Sequence, residues 1–432
     1  MTKNIIVSLI MSLFLISCAT KEPTVSEATT ISPSKKVFPE EDMYIMFALR
    51  AEQVGDRKTA SNLFTKLYEK STKKEYLYRS LENDLMAKEN EKVISRVDAI
   101  TQGKFDDKRL VRLKIVALVE SHRTYEAREL ALKLLSQTKS EEDYLLVANI
   151  YIQQLEYETA LKYLESAYNK NHDEKILDRL SVVLYGNLHR PKEAIAQLET
   201  HLRVEGCSKL ICNRLLSFYS NENNIDGLLQ TYLRLYKFNQ DEDSAKKIIQ
   251  IYGYKQDYKS LIQFLEDTKV DNDTLLQLYS VDKQYKKAYG LADELYKKTG
   301  EIHYLGQSAI FEYEASAKNT SSRVLKNVIS KLEKVTKNSK SPLYLNYLGY
   351  ILIDHEIDIK RGMNYIREVL KVQPDSSFYL DSLAWGYYKL GNCKKAKKII
   401  DRVVTLEGGD DPEVVGHVKK INRCLKKKKG KK

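Results

Sequence analysis

A set of small and apolar residues recurs along this chain at an interval of about 34 residues, and this interval constrains the fold more than any other feature. Near the C-terminus, the stretch LAWGYYKLGNCKKAKKIIDRVV carries the set as Leu383, Ala384, Tyr387, Gly391, Ala396, Ile400 and Val403. One period earlier, the corresponding residues are Leu348, Gly349, Leu352, Gly362, Val369 and Pro374. Small residues at fixed places let two helices approach closely, while the larger ones fill the layer shared with the next pair. The chain is therefore expected to be a row of similar helical hairpins.

The same set recurs towards the N-terminus. It is found as Phe47, Ala48, Gly55, Ala60, Phe64 and Leu67, and again as Val147, Ala148, Tyr151, Ala160, Leu164 and Ala167. Partial copies carry Leu180, Ala194 and Leu198, and weaker ones carry Ala127, Gly227 and Ala288. The pattern resembles that of tetratricopeptide repeat (TPR) proteins. The resemblance implies an all-α fold, a TPR-like helix-turn-helix solenoid, in which residues 40–425 hold about eleven repeats.

The repeats are expected to fall into three stretches. Residues 40–300 form the N-terminal and middle repeats, residues 301–341 form an irregular repeat with a long second helix, and residues 342–425 form regular repeats followed by a cap helix. Residues 206–285 lack several of the small residues and are interpreted as degenerate repeats, not as a separate domain. A seam is expected near residues 300–320.

The N-terminus has the features of a secretory signal. Lys3 precedes an apolar run at residues 5–16, which is too short to cross a bilayer as a helix. The run ends in LISC, which resembles the bacterial lipobox. The resemblance implies that residues 1–17 are a lipoprotein signal peptide and that Cys18 is lipidated, and several acyl chains on one cysteine anchor a protein durably. Two alternatives stay open, a short apolar anchor and ordinary cleavage that leaves a free thiol.

The residues after Cys18 indicate a membrane and a tether. Ala19 and Thr20 stand where the inner-membrane retention signal of enterobacterial lipoproteins has an aspartate, which favours the outer membrane, on its periplasmic face. Residues 18–39 hold Thr, Ser and Pro without apolar periodicity and are expected to form a flexible tether. Such a tether has a root-mean-square reach of about 25 Å, so the folded part can stand off the bilayer.

Positive charge is concentrated at the C-terminal end. The formal net charge is +12, and residues 393–432 alone hold 14 Lys or Arg against 5 Asp or Glu. The preceding part is nearly neutral and has no basic stripe, so nucleic acid is not an expected partner. Residues 426–432 are expected to be a basic tail. Such a tail can contact anionic glycans, lipid headgroups or an acidic protein face, or it can simply be solvated.

Four cysteines remain beyond Cys18. An even number in an oxidising compartment permits two disulfides, and free thiols are the alternative for each pair. Cys207 and Cys212 do not have a zinc spacing, and no metal ligand set is found around them. Cys393 follows one first helix and Cys424 lies on the next first helix, so a bridge that fastens the cap helix is feasible.

No pattern typical of an enzyme is found. The seven histidines fall in no HExxH motif or Cys/His cluster, and the sequence has no GxSxG, P-loop or GxGxxG. We therefore expect no catalytic residues, no cofactor and no small-molecule substrate, and instead a surface that binds other proteins. In TPR proteins, certain positions of each first helix line the binding groove. In the last two full repeats these are Leu343, Asn346, Tyr350, Phe378, Asp381, Trp385 and Tyr388. The alternative is that the aromatic residues pack under the cap helix.

A longer stretch of the C-terminal repeats resembles a narrower group. Residues 343–418, with the segments LNYLGYILID, GMNYIREVLKVQPDSSFYLDSLAWGYYKLG and DPEVVGHV, are similar to outer-membrane TPR lipoproteins. Some of these are adaptors that recruit a periplasmic carboxyl-terminal processing protease to its substrates, which implies the same role and partner here. Two other functions stay open. One is an envelope assembly or structural module for outer-membrane protein insertion, pilus or flagellar anchoring, or peptidoglycan contact, and the other is an enzyme fused to repeats.

Overall fold

The computed structural model describes residues 37–316 and 320–429, and every regular element in these ranges is a helix. The predicted signal peptide, Cys18 and the tether as far as residue 36 lie outside the described residues. The chain divides into two compact units, Met1–Gly206 and Cys207–Lys432. The seam that the sequence placed near residues 300–320 falls inside the second of these units.

The first unit contains ten α-helices among its described residues. They are α1 (Glu41–Gln53), α2 (Arg57–Ser71), α3 (Lys74–Met86), α4 (Asn90–Thr101), α5 (Lys108–Glu120), α6 (Thr124–Thr138), α7 (Glu141–Gln153), α8 (Tyr157–Asn171), α9 (Glu174–Val182) and α10 (Pro191–Glu205). A π-helical turn, Val183–Asn187, continues α9. The buried residues between Leu77 and Ala160 form one continuous apolar cluster that runs through the successive hairpins.

The second unit contains thirteen α-helices among its described residues. They are α11 (Lys209–Asn221), α12 (Ile225–Asn239), α13 (Glu242–Tyr254), α14 (Tyr258–Thr268), α15 (Asn272–Val281), α16 (Tyr285–Thr299), α17 (Ile302–Ser316), α18 (Ser322–Asn338), α19 (Pro342–Asp354), α20 (Ile359–Val372), α21 (Ser377–Lys389), α22 (Cys393–Val403) and α23 (Pro412–Lys429). At 17 residues, α18 is longer than the other second helices. The core of this unit includes a large cluster from Leu229 to Leu352.

Consecutive helices pair as hairpins, from α1 with α2 to α21 with α22, and α23 follows as a cap helix. In residues 37–316 and 320–429 there are eleven such hairpins. Each hairpin also contacts the next one within its unit, as α2 contacts α3 and α20 contacts α21. This arrangement confirms the predicted all-α, TPR-like fold of about eleven repeats.

The turns explain why the helices begin and end where they do. Many helices begin after an Asp, Asn or Ser whose side chain accepts a hydrogen bond from a backbone N–H of the first turn. These capping residues are Asp56, Asp107, Ser140, Asp173, Ser208, Asn224, Asp241, Asp257, Asp271, Ser321, Asp358 and Asn392. Left-handed residues such as Gly55, Gly300 and Gly391 reverse the chain between helices, which keeps the connections short.

The small residues of the repeat lie where helices touch. The six alanines at the second small position of the repeat, Ala60, Ala127, Ala160, Ala194, Ala288 and Ala396, are fully buried. Glycine fills the same position twice. A Cβ atom at Gly362 would lie 2.5 Å from the backbone oxygen of Gly349, and one at Gly227 would lie 2.4 Å from the Tyr219 ring. The backbones are therefore too close at Gly349 and Gly362 for a larger residue.

The C-terminal helix extends into the basic segment. α23 ends at Lys429, so the helix includes the first part of residues 426–432, which the sequence assigned to a tail. Residues 430–432 lie outside the described part of the chain. None of the helices described for this chain combines the length and the apolar composition needed to cross a membrane.

Candidate functional site

The cap helix α23 lies against the surface that the sequence singled out for binding. We call this surface the C-terminal face. It is the side of α19 and α21 that carries Leu343, Asn346, Tyr350, Phe378, Asp381, Trp385 and Tyr388. From α23, Glu413 accepts a hydrogen bond from the Tyr350 hydroxyl, and His417 contacts Asp381. Because Tyr350 and Asp381 belong to consecutive hairpins, α23 spans both of them.

Trp385 is packed beneath α23. Its indole N–H donates a hydrogen bond to Asp354 Oδ1 at 2.8 Å, and its ring stacks on His417 with 3.9 Å between the ring centroids. Tyr388 stacks on the same ring at 4.6 Å, and Lys420 Nζ lies 4.8 Å from the ring centroid. Only 3% of Trp385 is exposed. Both its apolar ring and its polar N–H are thus satisfied within the protein.

The contact between Asp381 and His417 is a buried polar pair. His417 Nδ1 lies 2.8 Å from Asp381 Oδ2 and 3.1 Å from Oδ1. Both side chains are at least nine-tenths buried. The two groups share one hydrogen bond, in which the imidazole and the carboxyl satisfy each other. The pair fixes the His417 ring in the plane that stacks on Trp385 and thereby orients α23.

Beside α23, two tyrosines donate hydrogen bonds to two carboxylates, and we call these four residues the tyrosine–carboxylate cluster. Tyr347 of α19 donates to Glu314 of α17 at 3.2 Å, and Tyr350 of α19 donates to Glu413 of α23. Three first helices therefore contribute to it, α17, α19 and α23. Next to it, the Tyr313 hydroxyl lies 3.2 Å from His355 Nε2.

Burial shapes the electrostatics of this cluster. It raises the pKa of Glu314, and the negative charge of Glu413 acts in the same direction, whereas the hydrogen bond from Tyr347 opposes it. Burial also raises the pKa of Tyr347 and Tyr350, which keeps both phenols protonated as donors. A desolvated carboxylate that senses a second carboxylate is stabilised by an approaching positive charge. Burial thus makes the Glu314 carboxyl easier to protonate than a solvated one.

Part of the C-terminal face is open to solvent. Leu343 and Phe378 are 48% and 58% exposed. Asn346 Oδ1 is buried and makes no hydrogen bond within the described structure. A cavity of about 530 Å³ adjoins Phe378 and is lined by the start of α21 and by residues 406–408. The C-terminal face thus combines exposed apolar side chains with a buried amide oxygen that has no hydrogen-bond partner among the described residues.

The structure brings the seven predicted groove residues to one face but covers three of them. Tyr350, Asp381 and Trp385 contact α23, which is the alternative that the sequence left open. Trp385 is buried, because the cap helix packs on its ring. A partner-binding role for the seven residues stays a prediction, and Leu343 and Phe378 are the members most accessible to a partner.

The four remaining cysteines are paired in the structure. Cys207 joins Cys212 across the first turn of α11, with 5.9 Å between the Cα atoms. Cys393, the first residue of α22, joins Cys424 of α23, with 6.0 Å between the Cα atoms. The second bridge fastens the cap helix to the last hairpin, beside the contacts of His417.

Sequence reasoning missed several residues of this site. Glu314 and Tyr347 were not considered, since residues 301–341 were treated as irregular and Tyr347 lies one position away from the groove positions. Glu413 and His417 were assigned only to a cap helix. The periodicity does hold a signal for Glu314, because α17 is a first helix in register with α19 once the long α18 is allowed for.

The described part of the chain shows no group of three or more His, Cys, Asp or Glu side chains arranged to hold a metal ion. Tyr350, Asp381 and Trp385 of the C-terminal face are instead bonded to Glu413, His417 and Asp354. This arrangement of side chains is suited to binding another protein. It offers aromatic rings, acidic groups and exposed apolar side chains to another surface.

Comparison with known proteins found similar structures but no matching protein-family model or curated protein sequence. Similar solved structures include the APC/C hetero-tetramer Cut9–Hcn1, at 9% identity over 89% of this chain and 97% of that chain, with a TM-score of 0.42. Another is YrrB, described as a TPR protein with an unusual peptide-binding site, at 13% identity over 44% and 97%, with a TM-score of 0.33. Naa15/Naa10 bound to HypK-THB matches at 13% identity over 87% and 65%, with a TM-score of 0.29. Because these values are low, the fold assignment rests on the helices of this chain.

Proposed function

We propose that this chain is a non-enzymatic scaffold that binds other proteins, and that it does so in the periplasm while tethered to the outer membrane through Cys18. The observation that carries the binding role is the C-terminal face, where Leu343 and Phe378 are exposed and where tyrosines of α19 donate hydrogen bonds to carboxylates. Aromatic and apolar anchors beside a polar surface are typical of protein interfaces. The LISC sequence and the Thr- and Ser-rich segment after it support the tether.

The more specific proposal is an adaptor for a carboxyl-terminal processing protease. It is supported by the resemblance of residues 343–418 to adaptor lipoproteins, which is the region that forms the C-terminal face and the cap helix. Fold similarity does not identify a partner, so the proposal depends on this local resemblance. In this role, the tethered protein brings the protease and its substrate together at the membrane.

An envelope assembly module is the second candidate function. It is favoured by the basic residues of α23 and the segment after it, since clustered lysines suit anionic glycans or lipid headgroups. Lys420 already contacts the Trp385 ring, so part of this charge lies at the C-terminal face. The two candidates differ in which residues a partner needs.

Affinity capture from gently crosslinked cells tests these proposals. Lipidated wild type, Phe378→Ala and Phe238→Ala are compared by quantitative mass spectrometry. Phe238 is a matched control, since it is 67% exposed but lies on a second helix, α12. A processing protease that is enriched with wild type and Phe238→Ala, but lost with Phe378→Ala, supports the adaptor. Enrichment of assembly proteins that is lost in a third variant, which lacks residues 426–432, supports the second candidate. Partners unaffected by either change argue against the C-terminal face as the binding site.

A further inference from the structure

The first helix of the chain exposes an apolar face. Met43, Met46 and Phe47 are 46%, 60% and 52% exposed, and Leu49 and Val54 are 40% and 60% exposed. The first three are spaced as i, i+3 and i+4, which places them on one side of α1. We call these three residues the α1 face; Leu49 lies at its edge beside Met46, and Val54 follows the end of the helix. Elsewhere in the first unit, exposed large apolar side chains are scattered singly among the described residues.

The position of α1 in the array explains this exposure. In later hairpins of the first unit, a first helix contacts both its own second helix and the preceding hairpin, as α3 contacts α4 and α2. α1 buries Ala48 and Ala51 and packs on α2, but residues 37–206 provide no hairpin before it. The side of α1 that would face a preceding hairpin is therefore exposed to solvent, although its side chains are apolar.

We propose that the α1 face pairs with the same face of a second copy of this chain, with the two α1 helices antiparallel. A two-fold interface must be complementary to itself. α1 meets this condition, since Asp42 lies in its first turn and Arg50 lies near its end, and both are exposed. In an antiparallel pair centred on Met46, Asp42 of each copy comes opposite Arg50 of the other. Met46 then packs on its counterpart, flanked by the other apolar residues of the face.

Other occupants fit the α1 face less well. A membrane-surface helix typically has Lys and Arg beside its apolar side, whereas the exposed charged residue in the first turn of α1 is the acidic Asp42. Four large apolar residues lie between the lipidation site and α1: Val25, Ile31, Val37 and Phe38. Of the two that the structure describes, Val37 is 51% exposed and Phe38 packs on Tyr44, so neither covers the α1 face. A helix of 13 residues is about 20 Å long, so the interface is small and a dimer in the micromolar range is expected.

Cysteine crosslinking of the full chain in a non-ionic detergent tests the pairing directly. In Met46→Cys, the two thiols meet at the two-fold axis, and mild oxidation is expected to give a covalent dimer whose yield rises with protein concentration. Val204→Cys is the control, because Val204 is 76% exposed in the same unit and every other cysteine is shared. Equal yields from both variants, or no dimer from Met46→Cys, would overturn the proposal.

Charge reversal tests the antiparallel register. Asp42→Arg and Arg50→Asp each place like charges opposite one another, and each is expected to weaken association by about tenfold. The double variant exchanges the two charges and is expected to restore association, which a purely structural effect on α1 does not predict. Thermal unfolding of each variant checks that the fold is intact. Absence of rescue overturns the register. If Phe47→Asp instead reduces binding to anionic vesicles and no crosslinked dimer forms, the face contacts lipid and the proposal is wrong.

This inference rests on the first unit alone. The proposed function rests on the C-terminal face and on Cys18, so either can fail without the other.

Discussion

Trp385 is central to the C-terminal face at the residue scale, because it joins α21 to α19 and α23 at once. Its ring stacks on His417 and its N–H is bonded to Asp354. Trp385→Ala removes these contacts and leaves a cavity, and we expect it to lower the free energy of unfolding of the second unit by about 3–5 kcal/mol. Chemical denaturation followed by circular dichroism measures this loss. Phe378→Ala, at an exposed site, is expected to change it by no more than about 0.5 kcal/mol.

The environment of Glu41 predicts that the stability of the first unit depends on pH. It is 3% exposed and accepts hydrogen bonds from Lys73 Nζ at 2.6 Å, from the Tyr76 hydroxyl at 2.7 Å and from the Val37 N–H at 2.8 Å. The bond from Lys73 is the main reason that its pKa falls from 4.5 to about 2. A carboxyl with a lowered pKa stabilises the fold above its unfolded pKa, and this stabilisation is lost as the pH falls through its folded pKa.

The expected result is a loss of stability between pH 4.5 and pH 2 that depends on Glu41. Urea unfolding of wild type and Glu41→Gln at a series of pH values measures it. The variant is less stable than wild type at pH 7, and the difference shrinks below pH 4.5. A difference that stays constant with pH contradicts the assignment.

Two glycines within helices provide a matched test of close packing. A Cβ at Gly362 would meet the Gly349 backbone at 2.5 Å, whereas one at Gly290 would meet nothing within 4 Å. Gly362→Ala is expected to destabilise the second unit by about 1–3 kcal/mol through overpacking. Gly290→Ala is expected to stabilise it by about 0.5–1 kcal/mol, because alanine favours the helix. Denaturation midpoints of the two variants are compared. Effects of the same sign would contradict the packing at Gly362.

Residues whose role follows from local volume could be predicted from the sequence. The small residues at Ala160, Ala396 and Gly362 are required by the close approach of paired helices, and the repeat reveals them. The sequence left the burial of Trp385 open as one of two alternatives, since it depends on where a later helix lies. The contact from Tyr350 to Glu413 joins residues far apart in the sequence, and no periodic pattern encodes it.

At the scale of elements, the disulfide between Cys393 and Cys424 determines how firmly α23 is held. A bridge that closes a loop of this length contributes about 3–4 kcal/mol, so reduction is expected to loosen the cap helix. Trp385 is the only tryptophan of the chain, which makes its fluorescence a specific reporter. We expect reductant to increase quenching by acrylamide and to shift the emission to longer wavelength.

Paired serine variants show which bridge is responsible. With Cys207 and Cys212 both replaced by Ser, the response to reductant should match wild type. With Cys393 and Cys424 both replaced, the fluorescence should resemble that of the reduced wild type before any reductant is added. If reductant leaves Trp385 unchanged in every variant, the bridge does not control the cap helix.

The element boundaries show where sequence reasoning reaches its limit. The hairpins were predictable because helix pairs repeat at a nearly constant interval, and the caps, such as Asp257, have a clear chemical signature. The division after Gly206 was not, although the small residues of the repeat become sparse from residue 206, because degenerate repeats within one array show the same loss. Compact units depend on how closely successive hairpins pack, which small differences in core side chains determine.

At the scale of the whole molecule, the chain divides into two compact units. We therefore expect it to unfold in more than one step. Hairpins contact mainly their neighbours, so stability is the sum of local contributions and cooperativity is limited along a long array. Trp385 fluorescence reports on the second unit, while far-ultraviolet circular dichroism reports on all helices. We expect the two urea transitions not to coincide.

A core substitution in the first unit makes this prediction specific. Leu118 is 1% exposed in α5, and Leu118→Ala is expected to lower the circular dichroism midpoint of the first unit by creating a cavity. The fluorescence midpoint of Trp385 should remain at its wild-type value. Equal shifts in both signals would show that the chain unfolds as one cooperative block.

Site-specific photo-crosslinking in cells tests the central claim, that the C-terminal face binds a protein partner. A photoreactive residue is placed at Leu343, on the C-terminal face, and in a second protein at Phe238, on a second helix of another hairpin. Both positions are exposed, at 48% and 67%, so neither change disturbs the core. With the photoreactive residue at position 343, we predict a discrete adduct with one partner protein. With it at position 238, we predict that this adduct is absent. The same adducts at both positions, or none at position 343, would contradict the claim.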